Sequence, residues 1–440
     1  MTGTSAKPGP ALAAAGLRAA GLLLGALATI LVARLLQPDR FGDFAFVMSL
    51  VTIVSVPPTI GLRQVLAREA AYATAHGDQA RLSALWLWAL RWSGGITVLL
   101  ACLLALWALT TQGRSDLRLP LLAGALVLLL LPMPQLFAGV VQGLGRVATS
   151  LLPEALVRPG VLLTLIGLIW ATSGQVPPAV TTLLLAVALA VALEAVVGAI
   201  LFRRATGLRP FWARDRATDL PRGALALSAL SFGAIASVHL INNNLDVVML
   251  GLLTGERETG LYRAATVLSE LVAFGLGVVN FVILPRIAGL HARADREGLQ
   301  KLVTTSARII AVMAALGLAV LLLAGGPILS GLFGAEFAQA RGALIILAFG
   351  QLANALFGPV ALVLNMTGHE RLTLVGVSIA VVLNAVLNLA LIPRYGIEGA
   401  AIASASALIL WNVVLALLLK RQVGYDSTIF AGRARSPKRP

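Results

Sequence analysis

The sequence predicts an all-α polytopic membrane protein of about 12 transmembrane helices in two pseudo-symmetric six-helix bundles. Three observations lead there. Only 12% of the 440 residues are charged and 58% are hydrophobic, with mean hydropathy +0.91, whereas a soluble chain carries about 25% charged residues. The apolar runs approach the roughly 20 residues that a helix needs to cross a bilayer, and the roughly ten-residue alternation of a membrane β-barrel is absent. A faint internal repeat then divides the chain in two.

The first run, at about 15–36, follows Lys7 and Arg18 as the apolar part of a signal peptide would. It continues to Arg34 and Leu36, and another run starts almost at once, so an uncleaved first span is expected. Further runs lie at about 42–62, 84–109, 117–140, 152–171 and 177–201, then at about 224–250, 260–284, 304–326, 341–365, 372–392 and 397–419. Pro57 and Pro58 in the second run, and Pro132 and Pro134 in the fourth, are expected to bend their helices. The resulting division is an N-terminal bundle over 1–201, a basic cytoplasmic linker over 202–223, a C-terminal bundle over 224–420 and a basic, flexible cytoplasmic tail over 421–440.

Net charge is +15. In a soluble chain that would suggest nucleic acid; here membrane topology accounts for it, and no nucleic-acid partner is expected. The even-numbered connections and both tails hold the basic clusters, such as RRATGLRPFWARDRATDLPR (203–222) and RIAGLHARADREGLQK (286–301). The odd-numbered ones, QPDRF (37–41), GERETG (255–260) and IPRYG (392–396), are short and nearly balanced. Both termini are therefore expected in the cytoplasm, where the tail would meet anionic membrane lipids or a cytoplasmic partner. The lone Cys102 reads as core filling, and the scattered His76, His239, His291 and His369 make no metal-ligand pattern.

VARLLQPDRFGDFAFVMSL (32–50) matches MLGLLTGERETGLYRAATVL (249–268) at an offset of 218, with Gly42 on Gly260 and Phe44 on Tyr262. VVQGLGR (140–146) pairs more weakly with NMTGHER (365–371). Both halves start on the same side, so the repeat is parallel, an arrangement typical of transporters working by alternating access.

Three stretches carry a family resemblance. ARLLQPDRFGDFAFVMSLVTIVSVPPTIGLRQVLARE (33–69) resembles the opening helices of the bacterial polysaccharide flippases, LDVVMLGLLTGERETGLYRAATVLSE (245–270) their second half's start, and LIPRYGIEGAAIASASAL (391–408) their penultimate loop and last span. These O-antigen and exopolysaccharide flippases belong to the superfamily of multidrug, oligosaccharidyl-lipid and polysaccharide exporters. The resemblance implies a MATE-like fold and, as cargo, a polyprenyl-pyrophosphate-linked oligosaccharide. It further implies a place in the bacterial inner membrane and a polysaccharide polymerase or glycosyltransferases as partners. A cation-coupled drug exporter of the same superfamily is the nearer alternative. A membrane glycosyltransferase or O-antigen ligase, expected to bring a sizeable polar loop or a carboxylate-rich metal site, is the enzymatic one, and a scaffold that transports nothing is the third.

An ionised group in the hydrocarbon costs about 2.5–3.5 kcal/mol on insertion scales unless it faces water, a partner or a ligand, and a pyrophosphate is best held by guanidinium forks. Substrate-cavity candidates are therefore Arg18, Arg34, Arg63, Arg91, Arg158 and Arg263, with Asn242, Asn243 and Asp246 from HLINNNLDVVMLGLL (239–253). Arg308 is a further arginine near a span end, where its side chain can reach the headgroups. Arg158 either pairs with Glu154 at i,i+4 or lines a cavity; Arg91, among Trp86, Trp88 and Trp92, either anchors at the interface or does the same. Asn242, Asn243 and Asp246 share a helix face, which either lines the path, with amides for sugar hydroxyls, or glues helices. Coupling-ion candidates, for a proton or sodium, are Asp246, Glu194 and Glu270. Asn280, Asn354, Asn384, Asn388 and Asn412 read as packing amides, with Asn384 and Asn388 on one face. No catalytic residue, metal site or other cofactor is expected.

Overall fold

The computed structural model describes residues 9–110, 115–173, 177–208 and 220–431, and the described residues are almost wholly helical. Helix α1 (Gly9–Val54) is broken at Gln37 (φ 62, ψ 169). The cause is Pro38, which has no N–H to give the ladder and pushes the residue before it out of the α region. There follow α2 (Val56–Thr59), α3 (Leu62–Ala75), α4 (Gln79–Thr110), α5 (Ser115–Leu130), α6 (Pro132–Gly143), α7 (Val147–Leu152), a π-helical turn over Pro153–Val157, α8 (Arg158–Ser173) and α9 (Val180–Thr206). The prolines expected to bend spans two and four do so: helix stops at Val54 and at Leu130, just before Pro57–Pro58 and Pro132.

The second half begins with α10 (Arg222–Leu253), α11 (Glu256–Ala292) and α12 (Arg296–Leu332). A 3₁₀ turn over Ala335–Ala340 precedes α13 (Arg341–Phe357), α14 (Val360–Met366) and α15 (Glu370–Leu418), the last broken at Gly396 (φ 53, ψ −129). Ten helices among the described residues are long and apolar enough to cross a membrane. Two of them, Gly16–Val54 and Glu370–Val423, contain the breaks at Gln37 and Gly396, and splitting each there recovers the twelve expected spans. Half of the expected linker, residues 209–219, and the tail beyond 431 lie outside the described residues.

The chain forms two units, residues 1–36 with 47–237, and residues 37–46 with 238–440. In the first, Trp86 of α4 stacks on Phe137 of α6 and Phe202 of α9 at centroid distances of 5.1 and 4.5 Å, closed by Leu62 and Leu66 of α3. Glu69, buried on α3, takes Arg68 at 3.0 Å and Arg81 at 2.9 Å, so the α3–α4 turn is tied by ion pairs. Cys102 is exposed rather than core filling. It shares the outer stripe of α4 with Leu99, Leu103 and Leu106, since in lipid an apolar side chain gains little by facing inward.

In the second unit, Ile283 and Ile287 of α11, Leu299 and Val303 of α12, Val363 and Leu364 of α14 and Leu415 of α15 make one core. Small residues let α13 and α15 approach closely, Gly350 lying against Ala405. After α15 the chain folds back: Gln300 Nε2 donates to the Asp426 carbonyl at 2.6 Å, the Asp426 N–H returns the bond to Gln300 Oε1 at 3.0 Å, and the Ile429 N–H donates to Leu356 O at 3.1 Å.

The repeat is visible in the backbone. Gly145 after α6 and Gly368 after α14 have φ of 79° and 80°. The residue after each donates five positions back, Arg146 to Val141 O and His369 to Leu364 O. The break at Gln37 has its counterpart 218 residues on in Gly255 (φ 154). Within the second unit the two equivalent loops cross reciprocally. A side chain at Gly42 would strike Glu256 O, and one at Gly260 would strike Pro38 O. Asp39 and Arg257, themselves 218 apart, pair with each other at 3.4 Å.

Candidate functional site

Asp246 lies mid-helix on α10, 4% exposed. Its position follows from the run LDVVML, whose Val247, Val248 and Leu250 are buried beside it. Facing it are two turns of α15, where Asn384 and Asn388 stand four apart on one face, Ser404 beyond the break at Gly396, and Tyr262 of α11. Asn384 Nδ2 and Asn388 Nδ2 donate to Asp246 Oδ1 at 2.8 and 2.6 Å. Tyr262 Oη donates to Oδ2 at 2.9 Å, and the Ser404 hydroxyl donates to the same oxygen. Asn388 Nδ2 also reaches Asn384 Oδ1 at 3.0 Å, and Asn384 Nδ2 reaches Asn242 Oδ1 at 3.4 Å. Asn388 Oδ1 is buried and accepts no hydrogen bond among the described residues.

Among the described residues no Lys, Arg or His forms an ion pair with Asp246. A carboxylate taken out of water loses several kcal/mol of solvation, and charge-assisted hydrogen bonds of about 1.5–3 kcal/mol each offset it. Four neutral donors can hold the negative charge without cancelling it. The oxygens of Asp246, Asn388, Ser404 and Tyr262 are hard ligands of the kind that bind alkali and alkaline-earth cations, and a single carboxylate matches one positive charge.

One turn before Asn242, the ring of His239 meets Trp411 of α15 edge-on at 4.9 Å, and Asn412 Nδ2 donates to Asn354 Oδ1 at 2.9 Å. Asn243 is exposed on the neighbouring stripe of α10. Arg263 is half-buried on α11, and Glu270 is exposed two turns on.

A second polar group lies in the first unit. Glu194 of α9 is 3% exposed. It lines a cavity of about 30 Å³ with Gln135, Ser150, Glu154 and Arg158. Glu154 pairs with Arg63 of α3 at 2.9 Å, and Arg63 Nε also reaches Gln142 Oε1 at 3.4 Å. Of the readings open for Arg158, the structure therefore shows a place in this cavity lining rather than the pair with Glu154, which goes to Arg63. In the π turn over Pro153–Val157 the hydrogen bonds run i to i+5, so residues four apart no longer stack. Arg18 and Arg34 are exposed on α1. Arg91, also exposed, borders a notch of about 280 Å³ with Trp88, Trp92 and Arg222.

The structure therefore gathers Asn242 and Asp246 in one cluster and Arg63, Arg158 and Glu194 in another, and leaves Arg34 and Glu270 on the surface. Tyr262 and Ser404 were not singled out by sequence. The signal available for Tyr262 was its hydroxyl, absent from its repeat partner Phe44.

A model of the polysaccharide biosynthesis protein family matches residues 14–291, more than half of the chain. The chain belongs to that family. It is similar to a probable low-salt glycan biosynthesis flippase, Agl15, of Haloferax volcanii, with 26% identity over 164 residues, 37% of this chain and 34% of that protein. It is also similar to a probable flippase, AglR, of the same organism, with 27% identity over 183 residues, 41% and 38% of the two chains. The matched stretch spans little more than a third of either relative. In fold, this family member is similar to an inward-facing MATE family multidrug resistance transporter of the MOP superfamily, with TM-score 0.72, 14% identity and coverage of 92% and 94%. It is likewise similar to the lipid II flippase MurJ in an inward closed conformation, with TM-score 0.69, 14% identity and coverage of 92% and 87%. At such identity the likeness shows the fold, and the fold is the MATE-like one expected.

Proposed function

We propose that the protein moves a polyprenyl-pyrophosphate-linked oligosaccharide from the cytoplasmic to the outer face of the bacterial inner membrane, for capsule, O-antigen or exopolysaccharide assembly. Membership of the polysaccharide biosynthesis family supports the cargo class, and the two flippases it resembles support the movement. The observation that carries the reading is the Asp246 cluster, a buried carboxylate held by neutral donors in a membrane-embedded chain. Such a group gives transport an ion to couple to. Asp246, Asn388, Ser404 and Tyr262 would hold a proton or sodium there, and Asn388 Oδ1, which accepts no hydrogen bond among the described residues, suits a cation ligand. Asn242 and Asn243, on the same helix, would meet sugar hydroxyls, and the arginine candidates would meet the pyrophosphate. No covalent step is involved. Both termini are cytoplasmic in this reading, and the partners are membrane lipids and the polymerase or glycosyltransferases of the same assembly line.

A second reading, cation-coupled export of a small molecule, draws on the likeness to the multidrug transporter and on the same Asp246 site. Proteoliposomes separate the two. With a labelled polyprenyl-pyrophosphate oligosaccharide, the proposal expects movement above that in empty liposomes, lost in Asp246→Ala. No movement, together with ion-driven efflux of a cationic dye, would replace it by the exporter reading.

A further inference from the structure

Glu194 is a buried carboxylate of the first unit, on α9. It is 3% exposed, and among the described residues nothing donates a hydrogen bond to it. Helix α9 packs against α5, α6, α7, α8 and the π turn. The charged groups facing Glu194 are Arg158 at the start of α8, Glu154 in the π turn and Arg63 on α3. Glu154 and Arg63 are spent on each other at 2.9 Å. Arg158 lines the same cavity without closing an ion pair on Glu194, and the cavity, at about 30 Å³, has room for a water molecule. A buried carboxylate with a guanidinium nearby but neither a hydrogen bond nor a contact ion pair is incompletely compensated for its lost solvation. Two arrangements remove that deficit: Arg158 swings onto Glu194, or Glu194 carries a proton and leaves Arg158 where it stands.

We propose that Glu194 is a proton-binding site separate from the Asp246 cluster, and that its proton decides whether Arg158 holds Glu194 or an anionic phosphate. With both carboxylates ionised, the charges of Arg63, Arg158, Glu154 and Glu194 cancel. A proton taken from water onto Glu194 leaves one positive charge in excess, on a planar guanidinium suited to phosphate oxygens. Binding is reciprocal: whatever the proton adds to anion affinity, the anion adds to proton affinity. A metal cation is a poorer occupant, because two guanidiniums flank the site. The inference rests on the proposed reading only in taking a phosphate-bearing headgroup as the anion.

The test uses the full chain in lipid nanodiscs, with inorganic pyrophosphate as probe and calorimetry in buffers of different ionisation heat. From about pH 6 to about pH 8 wild-type affinity should fall about fivefold or more beyond the probe's own titration, with matching proton uptake, fivefold being the low end of allosteric couplings. Glu194→Gln should bind with the tighter affinity at both pH values and take up no proton beyond the probe's own. Glu194→Asp, eluting as the wild type does, should keep the pH dependence, and Arg158→Gln should lose binding. Coincident pH profiles for wild type and Glu194→Gln would overturn the proposal. Oligosaccharide movement in proteoliposomes is read separately. Its failure while linked proton uptake persists removes the flippase reading and leaves the switch, and the converse removes the switch alone.

Discussion

Positions 44 and 262 are repeat partners that differ by one hydroxyl, and that hydroxyl donates to Asp246 at 2.9 Å. The partner of Asp246 itself, 218 residues earlier, is the buried Ala28. The acidic cluster therefore belongs to the second half alone. Tyr262→Phe takes away one of four donors from a buried carboxylate, and a loss of about 1–3 kcal/mol is expected. Thermal unfolding in detergent measures it, and an unchanged Tm would show the hydroxyl to be dispensable. If a cation or proton binds there, it also stabilises the fold, by about 2.7 kcal/mol at a hundredfold excess over Kd. Asp246→Asn should abolish that ion-dependent rise in Tm, and a rise that persists would place the ion elsewhere. At the returning tail, burial alone would raise the Asp426 carboxyl. Hydrogen bonds from Thr428 and Lys420, with the Lys420 charge, outweigh it and hold the group below the ordinary 3.8. The stability it lends is complete above 3.8 and lost as pH falls through the lowered folded value. Hydrogen exchange of residues 424–431 in wild type and Asp426→Asn should differ at neutral pH and converge in acid. Asp246 was legible as an isolated acid in an apolar run, and Asn384 with Asn388 as an i,i+4 pair. Ser404 was not, since single hydroxyls are common in membrane helices and its partner is 158 residues away.

At the level of elements, hydropathy located every span because the membrane demands long apolar runs. It was blind to the π turn: a widened helical turn leaves composition unchanged, yet it redirects Glu154 from Arg158 to Arg63. The crossing of the two loops was half legible, because the repeat aligned Gly42 with Gly260 but gave no sign that they touch one another's backbones. Gly42→Ala and Gly260→Ala each drive a methyl toward a carbonyl oxygen. Each should cost about 1–3 kcal/mol as an overpacked core does. Gly167→Ala, with open space around it, is the matched control. Equal Tm values for all three would contradict the close crossing.

For the whole molecule, composition was enough for the class, and the succession of apolar runs for the span count. The division into units was not legible: residues 37–46 come from the first half of the chain yet group with the second unit. There Phe41 packs edge-on against Phe337 at 6.0 Å. A fragment of residues 224–440 expressed alone should aggregate, because Phe337 and Arg257 lose their covering loop. Co-expression with residues 1–201 should return a monodisperse complex on size-exclusion chromatography, and a well-behaved lone fragment would refute this. The same loop bears on descent. In a dimer of identical chains joined through such a crossing, the position now numbered 39 would face its own copy, aspartate on aspartate or arginine on arginine, and like charges would push the partners apart. Fusing two copies into one chain releases the two positions to diverge. Asp39 and Arg257, with Glu336 drawn in at 2.9 Å, make an attraction that no symmetric ancestor could have possessed.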